Sequence, residues 1–229
     1  MAIACVTGAS RGIGRAVTLA LVERGWTVCA VARTFDDRFE SDKVIAINAD
    51  LANAAELRRA CTQILNVGEV ALLINNAGVG RFGPHETLTD EDLEGMLKLN
   101  LLAPMMMCKM LLRSIRRECG CIVNVASTSG LEARRFGCAY AATKAGLIHF
   151  GHSLFEETRK QGVRVVNVSP DFVRTDFYDD ADFAPSEQVD CSLTIADVVN
   201  AITYAIDQPR NAVVNDVVIR PQKVGIQKK

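Results

Sequence analysis

The chain alternates between short apolar runs and longer amphipathic stretches, and the apolar runs carry hydrophobic side chains at odd and even positions alike. IACVTG, TVCAVAR, KVIAINA, EVALLIN, CIVNVAS, VRVVNVS and AVVNDVVI are the seven such runs. A strand that is apolar on both faces must be covered on both faces. Between them lie helical patterns over Gly12 to Arg24, Asn53 to Leu65, Asp90 to Arg117 and Gly137 to Lys160, with Asn53 placed to cap the second. This alternation predicts an α/β fold, a doubly wound seven-stranded parallel sheet with right-handed crossovers and helices on both faces. With 229 residues, 49% of them hydrophobic, the chain can close one substantial core, so a single domain over 1–229 is expected.

Charge excludes several classes of partner. The 26 basic and 27 acidic residues are well mixed and leave a formal net charge of -1, which gives no footprint for nucleic acid or an anionic membrane. No uninterrupted apolar run approaches the roughly 20 residues a membrane span needs; Leu99 to Leu112 is broken by Asn100, Pro104 and Lys109. The eight cysteines show no paired framework, and several sit inside apolar runs (Cys5, Cys29, Cys108). Free thiols and a soluble protein of the reducing cytoplasm are the expectation. No metal site is expected either: Cys119-Gly120-Cys121 has no second ligand pair, and His149, His152 and Glu156 belong to the packing face of a helix.

In a doubly wound sheet, ligands bind beyond the carboxyl ends of the strands, so the residues that end each strand are the informative ones. The first strand runs into TGASRGIG, with Gly8, Gly12 and Gly14 directly before a helix and Ser10, Arg11 and Ile13 between them. Glycines there let the backbone approach a pyrophosphate, whose charge meets the free N–H groups at the helix start. Strand two ends at Ala32-Arg33, where an NAD site would carry an acid for the ribose hydroxyls. Arg33, with Arg11, suits a 2'-phosphate instead, so NADPH/NADP+ is favoured over NAD, unless Asp36 or Asp37 supplies the acid from slightly further on. Strand three ends at Asp50-Leu51, in reach of an adenine amino group or simply in the turn to the next helix. Strand four ends in Asn75-Asn76-Ala77-Gly78, and strand five at Ser127, with Ser129 as its rival two residues on. Thirteen residues after Ser127 comes YAATK, with Tyr140 and Lys144 one helical turn apart on one face. A cation held beside a phenol favours the phenolate and makes tyrosine a usable acid at neutral pH.

GxxxGxG, NNAG, a serine ending strand five and YxxxK, in this order and spacing, resemble the short-chain dehydrogenase/reductase family, whose subunits are single-domain Rossmann folds. The resemblance runs from Ala2 to about Ile219. It implies that Tyr140 is the proton donor in carbonyl reduction and the base in alcohol oxidation. Ser127 then polarises the substrate oxygen, and Lys144 tunes the tyrosine and bonds the nicotinamide ribose. Asn100 kinks its helix and holds a water of the proton relay. Asn76, Ala77 and Gly78 shape the floor under the cofactor. Pro170, Val173 and Thr175, in SPDFVRT, resemble the segment that holds the nicotinamide carboxamide. That segment usually has glycine after its proline, where this chain has Asp171.

Substrate choice is expected between Ser127 and Tyr140, in Gly80 to His85, and in an acidic, aromatic flap over 176–190. The resulting expectation is an NADPH-dependent reductase of a small or medium carbonyl compound (3-oxoacyl, ketone or related). By the resemblance it works as a homotetramer or homodimer through the helices that follow strands four and five. A cofactor-sensing protein without catalysis is the alternative from another class, and an epimerase or dehydratase using the same Tyr/Lys pair is a third.

Overall fold

The computed structural model describes residues 2–35, 39–223 and 225–229, apart from the Val189 side chain. Seven parallel strands form one sheet: β1 (Ala2–Thr7), β2 (Thr27–Ala32), β3 (Val44–Asn48), β4 (Glu69–Asn75), β5 (Cys121–Val125), β6 (Arg164–Pro170) and β8 (Asp216–Ile219). Their spatial order is β3-β2-β1-β4-β5-β6-β8, so the winding reverses between β1 and β4. A second, two-stranded antiparallel sheet pairs β7 (Phe183–Pro185) with β9 (Ile226–Lys228). The helices are α1 (Gly12–Glu23), α2 (Ala54–Val67), α3 (Asp90–Leu97), α4 (Ala103–Arg117), α5 (Cys138–Thr158) and α6 (Ile195–Ile206).

Alternation along each strand feeds two cores. Ile3, Cys5, Cys29 and Val31 point into the layer closed by α2, α4 and α5. Ala4, Val6, Val28 and Ala30 point into the layer closed by α1 and α6. This two-sided burial is what the apolar runs require. All eight cysteines are free, and burial pushes the Cys29 and Cys61 thiols up to about 11.

Two helical features differ from the sequence expectation. The stretch from Asp90 to Arg117 is not one α-helix: α3 and α4 are separated by a π segment over Lys98–Leu102. An α ladder through this segment would need Pro104 to donate to the Asn100 carbonyl, and proline has no N–H. By length and composition this stretch is apolar enough to cross a bilayer. Here Met107, Leu111 and Ile115 bury it against the sheet as a core helix. Helix α6 has no counterpart in the sequence reading. Its β-branched residues Ile195, Val198, Val199, Ile202, Thr203 and Ile206 read poorly as helix. A capping box does mark its start, with Thr194 and Asp197 bonding each other's backbone N–H.

A row of amides crosses the centre of the sheet. Asn75, Asn124, Asn167 and Asp216 are register partners on four neighbouring strands. Asn75 Nδ2 donates to Asn124 Oδ1 (3.0 Å), Asn124 Nδ2 to Asn167 Oδ1 (3.1 Å), and Asn167 Nδ2 to Asp216 Oδ1 (3.2 Å). His152 Nε2 closes the row on Asp216 at 2.9 Å. Gly151 of α5 lies directly over it: a Cβ there would sit 2.2 Å from Asn167 Oδ1 and 2.9 Å from Asn124 Nδ2.

Helix propensity alone would make Gly151→Ala stabilising by about 1 kcal/mol. The clash with the amide row reverses the sign, to a loss of about 1–3 kcal/mol in urea unfolding. Gly95→Ala in α3, whose Cβ would meet nothing within 4 Å, should keep the favourable sign in the same assay.

Candidate active site

At the carboxyl ends of the strands, across the point where the winding reverses, lies a cleft of about 610 Å³. One end is the glycine turn after β1. Gly8 has φ +65°, and a Cβ on it would press on Ala77 Cα and Asn76 Nδ2 at 2.9 Å. Gly14 is packed closer still, with its Cβ direction 2.1 Å from the Gly8 carbonyl oxygen. The turn is therefore wound against α1 with no room for a side chain at Gly8 or Gly14, and Arg11, the residue preceding α1, makes no side-chain cap bond to it. Such a cradle of backbone at a helix start suits a pyrophosphate.

Thr7, which the sequence reading did not single out, fixes this cradle to the turn after β4. Its Oγ1 accepts from the backbone N–H of Asn76 (2.9 Å) and Ala77 (3.0 Å) and donates to Ile74 O (3.3 Å). Asn76 Nδ2 answers by donating to Thr7 O at 2.9 Å and Gly8 O at 3.3 Å. The signal for Thr7 was its place as the last strand residue before the glycine turn.

The far end holds the proposed chemistry. Ser127, Tyr140 and Lys144 all line the cleft, as do Gly8, Ser10, Arg11, Gly12, Ile13 and Arg33 along the nucleotide end. Asp50, Leu51, Asn76, Ala77, Gly78, Pro170, Val173 and Thr175 complete that wall. Gly14 lies beneath it and Asn100 behind it. The alternative acids Asp36 and Asp37 lie outside the described residues.

Of the two serines it is Ser127 that lines the cleft, and its hydroxyl accepts from the Ser129 N–H at 3.1 Å. That bond starts a tight turn over Thr128–Gly130, and Gly130 lets the turn lie flush on α5, where a Cβ would meet the Lys144 carbonyl carbon at 2.7 Å. Serine and helix are thus held as one unit. Asn100 is fully buried, and its side chain is committed: Oδ1 accepts from Val79 N–H (2.8 Å), while Nδ2 donates to Val79 O (2.8 Å) and Thr143 Oγ1 (3.1 Å). It braces the turn after β4 against α5. Its main-chain carbonyl cannot be engaged by Pro104, which has no N–H.

The electrostatics depart from expectation. Lys144 Nζ donates to Val125 O at 2.8 Å and lies 5.8 Å from the Tyr140 ring centroid. Burial raises the Tyr140 phenol well above its ordinary value, and the hydrogen bond with Ser127 draws it only part of the way back. Burial also lowers Lys144 to about 8. In this geometry desolvation outweighs any help from the ammonium to the phenolate.

The substrate side is aromatic. Phe82 and Phe177 flank Tyr140, with ring centroids at 5.4 and 5.7 Å, and Tyr178 and Phe183 pack on Phe82 in turn. Asp171 also lines the cleft. Its nearly buried carboxylate meets Arg134 Nη2 at 3.4 Å.

Residues 2–183 match the family model described as short chain dehydrogenase. The chain belongs to that family. It is 34% identical over 185 residues to a 3-oxoacyl-[acyl-carrier-protein] reductase of Bos taurus, covering 78% of each chain. Among solved structures it is similar to a 4-hydroxyisoleucine dehydrogenase complexed with NADH (28% identity, TM-score 0.87, covering 96% of this chain and 98% of that one). It is also similar to a metagenomic short-chain oxidoreductase in complex with NADP (27% identity, TM-score 0.78, 96% of each chain). An oxidoreductase with a nicotinamide dinucleotide site follows from the family, and the glycine cradle fits that cofactor.

Lys144 gives a pH signature. The unfolded chain holds this proton up to about 10.4, the folded chain only to about 8. The unfolded state therefore binds more protons between these values, and stability rises with pH across that window. Burying the ammonium costs about 3 kcal/mol below pH 8. The difference in urea-unfolding free energy between the wild type and Lys144→Met should shift by about that amount, in favour of the wild type, between pH 7.5 and 10.

Proposed function

We propose that this protein is an NADPH-dependent reductase that converts a carbonyl group of a small or medium substrate to an alcohol, with Tyr140 as the proton donor. The observation that carries this reading is the meeting of Ser127, Tyr140 and Lys144 at one end of a cleft whose other end carries Arg33 and Arg11. When bound, the cofactor supplies the hydride. Alkoxide charge then grows on the substrate oxygen, where the Ser127 hydroxyl donates a hydrogen bond and Tyr140 delivers its proton. A phenol held protonated by burial is in the form that reduction needs. Lys144, fixed on Val125 O, stands behind the phenol to replace its proton.

Preference for NADPH rests on Arg33, with its backbone held by Asn48 Nδ2 on Arg33 O at 3.1 Å. Arg11 supports it from across the cleft mouth, loosely paired with Asp176 at 3.7 Å between well-exposed side chains. A 3-oxoacyl group, as named for the relative, is one candidate substrate class and a simple ketone another. A homo-oligomer in the reducing cytoplasm completes the reading. Leu97, Leu102 and Met105 along α3 and α4 are exposed apolar side chains suited to a partner subunit, and the thiols are free.

Loss of NADPH absorbance across a carbonyl panel, with NADH run in parallel, tests the reaction class and the cofactor preference together. Tyr140→Phe should lower kcat by about 10²–10⁴-fold with NADPH affinity unchanged; retained turnover would refute the mechanism. Arg33→Ala should weaken NADPH binding about 10-fold or more, the worth of one charge-assisted contact, and leave NADH binding unaltered.

A further inference from the structure

The aromatic flap does not hold itself over Tyr140. Its short 3-10 turn at Asp176–Tyr178 closes through Asp179 N–H on Asp176 O (3.2 Å), Arg81 anchors it through Asp180 at 2.6 Å, and residues 225–229 pin it together with strand β7. β9 pairs with β7 in antiparallel register, Phe183 opposite Lys228 and Pro185 opposite Ile226. Ser186 N–H donates to Gly225 O at 3.1 Å, and Lys229 N–H to Asp182 O at 3.0 Å. Lys229 Nζ then reaches back over the flap and donates to the carbonyls of Tyr178 (2.6 Å) and Asp179 (2.9 Å). These two carbonyls end the turn that carries Phe177 and Tyr178. At the other end of β9, Gly225 is seated so closely that a Cβ would stand 2.6 Å from Cys191 Cβ and 2.8 Å from Ser186 Cβ.

We propose that residues 225–229 are a strap that determines substrate selectivity by holding the flap aromatics against Phe82 and Tyr140. The inference rests on the carbonyl-reductase reading and extends it to the size and polarity of the substrate. With the strap seated, Phe177 packs edge-on against Phe82 at 6.4 Å and both rings flank Tyr140, which limits the room beside the phenol to a small group. Among the described residues the strap lies outside the lining of the cleft, and the flap reaches the nucleotide end through the exposed Asp176–Arg11 pair, so loosening the strap acts mainly on substrate recognition. It also lies beyond residues 2–183, the part of the chain that the family model matches.

Two variants loosen it from opposite ends. Gly225→Leu unseats the start of β9 by the clash above, and Lys229→Met removes the ammonium that clasps the flap turn while keeping the aliphatic stem. Amide hydrogen exchange of residues 176–186 should become at least about 10-fold faster in both variants, the consequence of losing roughly 1.4 kcal/mol of local stability. NADPH affinity should change by less than about 5-fold, since the exposed Arg11–Asp176 pair contributes little. In steady-state assays, KM for a small apolar ketone should rise while the ratio of kcat/KM for a bulky ketone to that for the small one increases several-fold. Unchanged exchange in the flap, or faster exchange with an unchanged selectivity ratio, would overturn the proposal. If the wild type reduces no carbonyl compound, the carbonyl-reductase reading fails by itself, and the claim for selectivity falls with it. The exchange measurement still decides whether the strap holds the flap.

Discussion

The hydroxyl of Thr7 is the contact on which the site depends. At the point where the winding reverses, the connections after β1 and β4 leave for opposite faces of the sheet, and their turn amides need partners from outside the ladder. One oxygen accepts from two successive N–H groups of the β4 turn and donates to a β4 carbonyl, and Asn76 returns two bonds to the glycine turn. Buried groups left unpaired there would cost about 1–3 kcal/mol each. The reciprocal bonding satisfies them and fixes the separation between the cradle at Gly8 and the wall at Gly78. Behind that wall, Asn100 grips Val79 and links it to Thr143 in α5, so the cofactor cradle and the helix carrying Tyr140 share one continuous frame.

The sheet was legible because its signal is redundant: each strand is apolar on both faces, and each ends in residues with a distinct chemistry. The cofactor set and the Ser127, Tyr140, Lys144 group could be assembled because they fall on strand ends or on one helical face. What escaped was decided by tertiary context. Helix α6 contains β-branched residues whose helical state comes from packing Val198 and Ile202 into the core, although its capping box was there to be read. The π segment hinged on pairing Pro104 with a carbonyl four residues earlier. The strap over the flap joins residues some 40 positions apart by backbone bonds, which leave no mark in side-chain pattern.

The proton chemistry shows where spacing misleads. Four residues of helix do put a phenol and an ammonium on one face, but the sign of their effect depends on what lies between them and water. Both groups are almost fully buried, and burial moves both toward their neutral forms, the tyrosine upward and the lysine downward. One of the ammonium's three N–H donors goes to Val125 O. Burial thus favours the protonated phenol in the folded chain.

Asp171, at the position where the resemblance leads one to expect glycine, fits the same economy of burial. A carboxylate with its side chain 7% exposed is tolerable only beside a cation, and Arg134 supplies one from the loop between Ser127 and Tyr140. Arg134 also faces Glu132, which in turn pairs with Arg220, so the four side chains alternate in sign and carry no net charge. Arg134 is therefore engaged within the protein. It ties the end of β6 to the loop that enters α5. Beside this charge-balanced group, Phe177 and Tyr178 line the cleft together with Arg81, Asp176, Asp179 and Asp180, while Phe82 and Phe183 pack on those two rings.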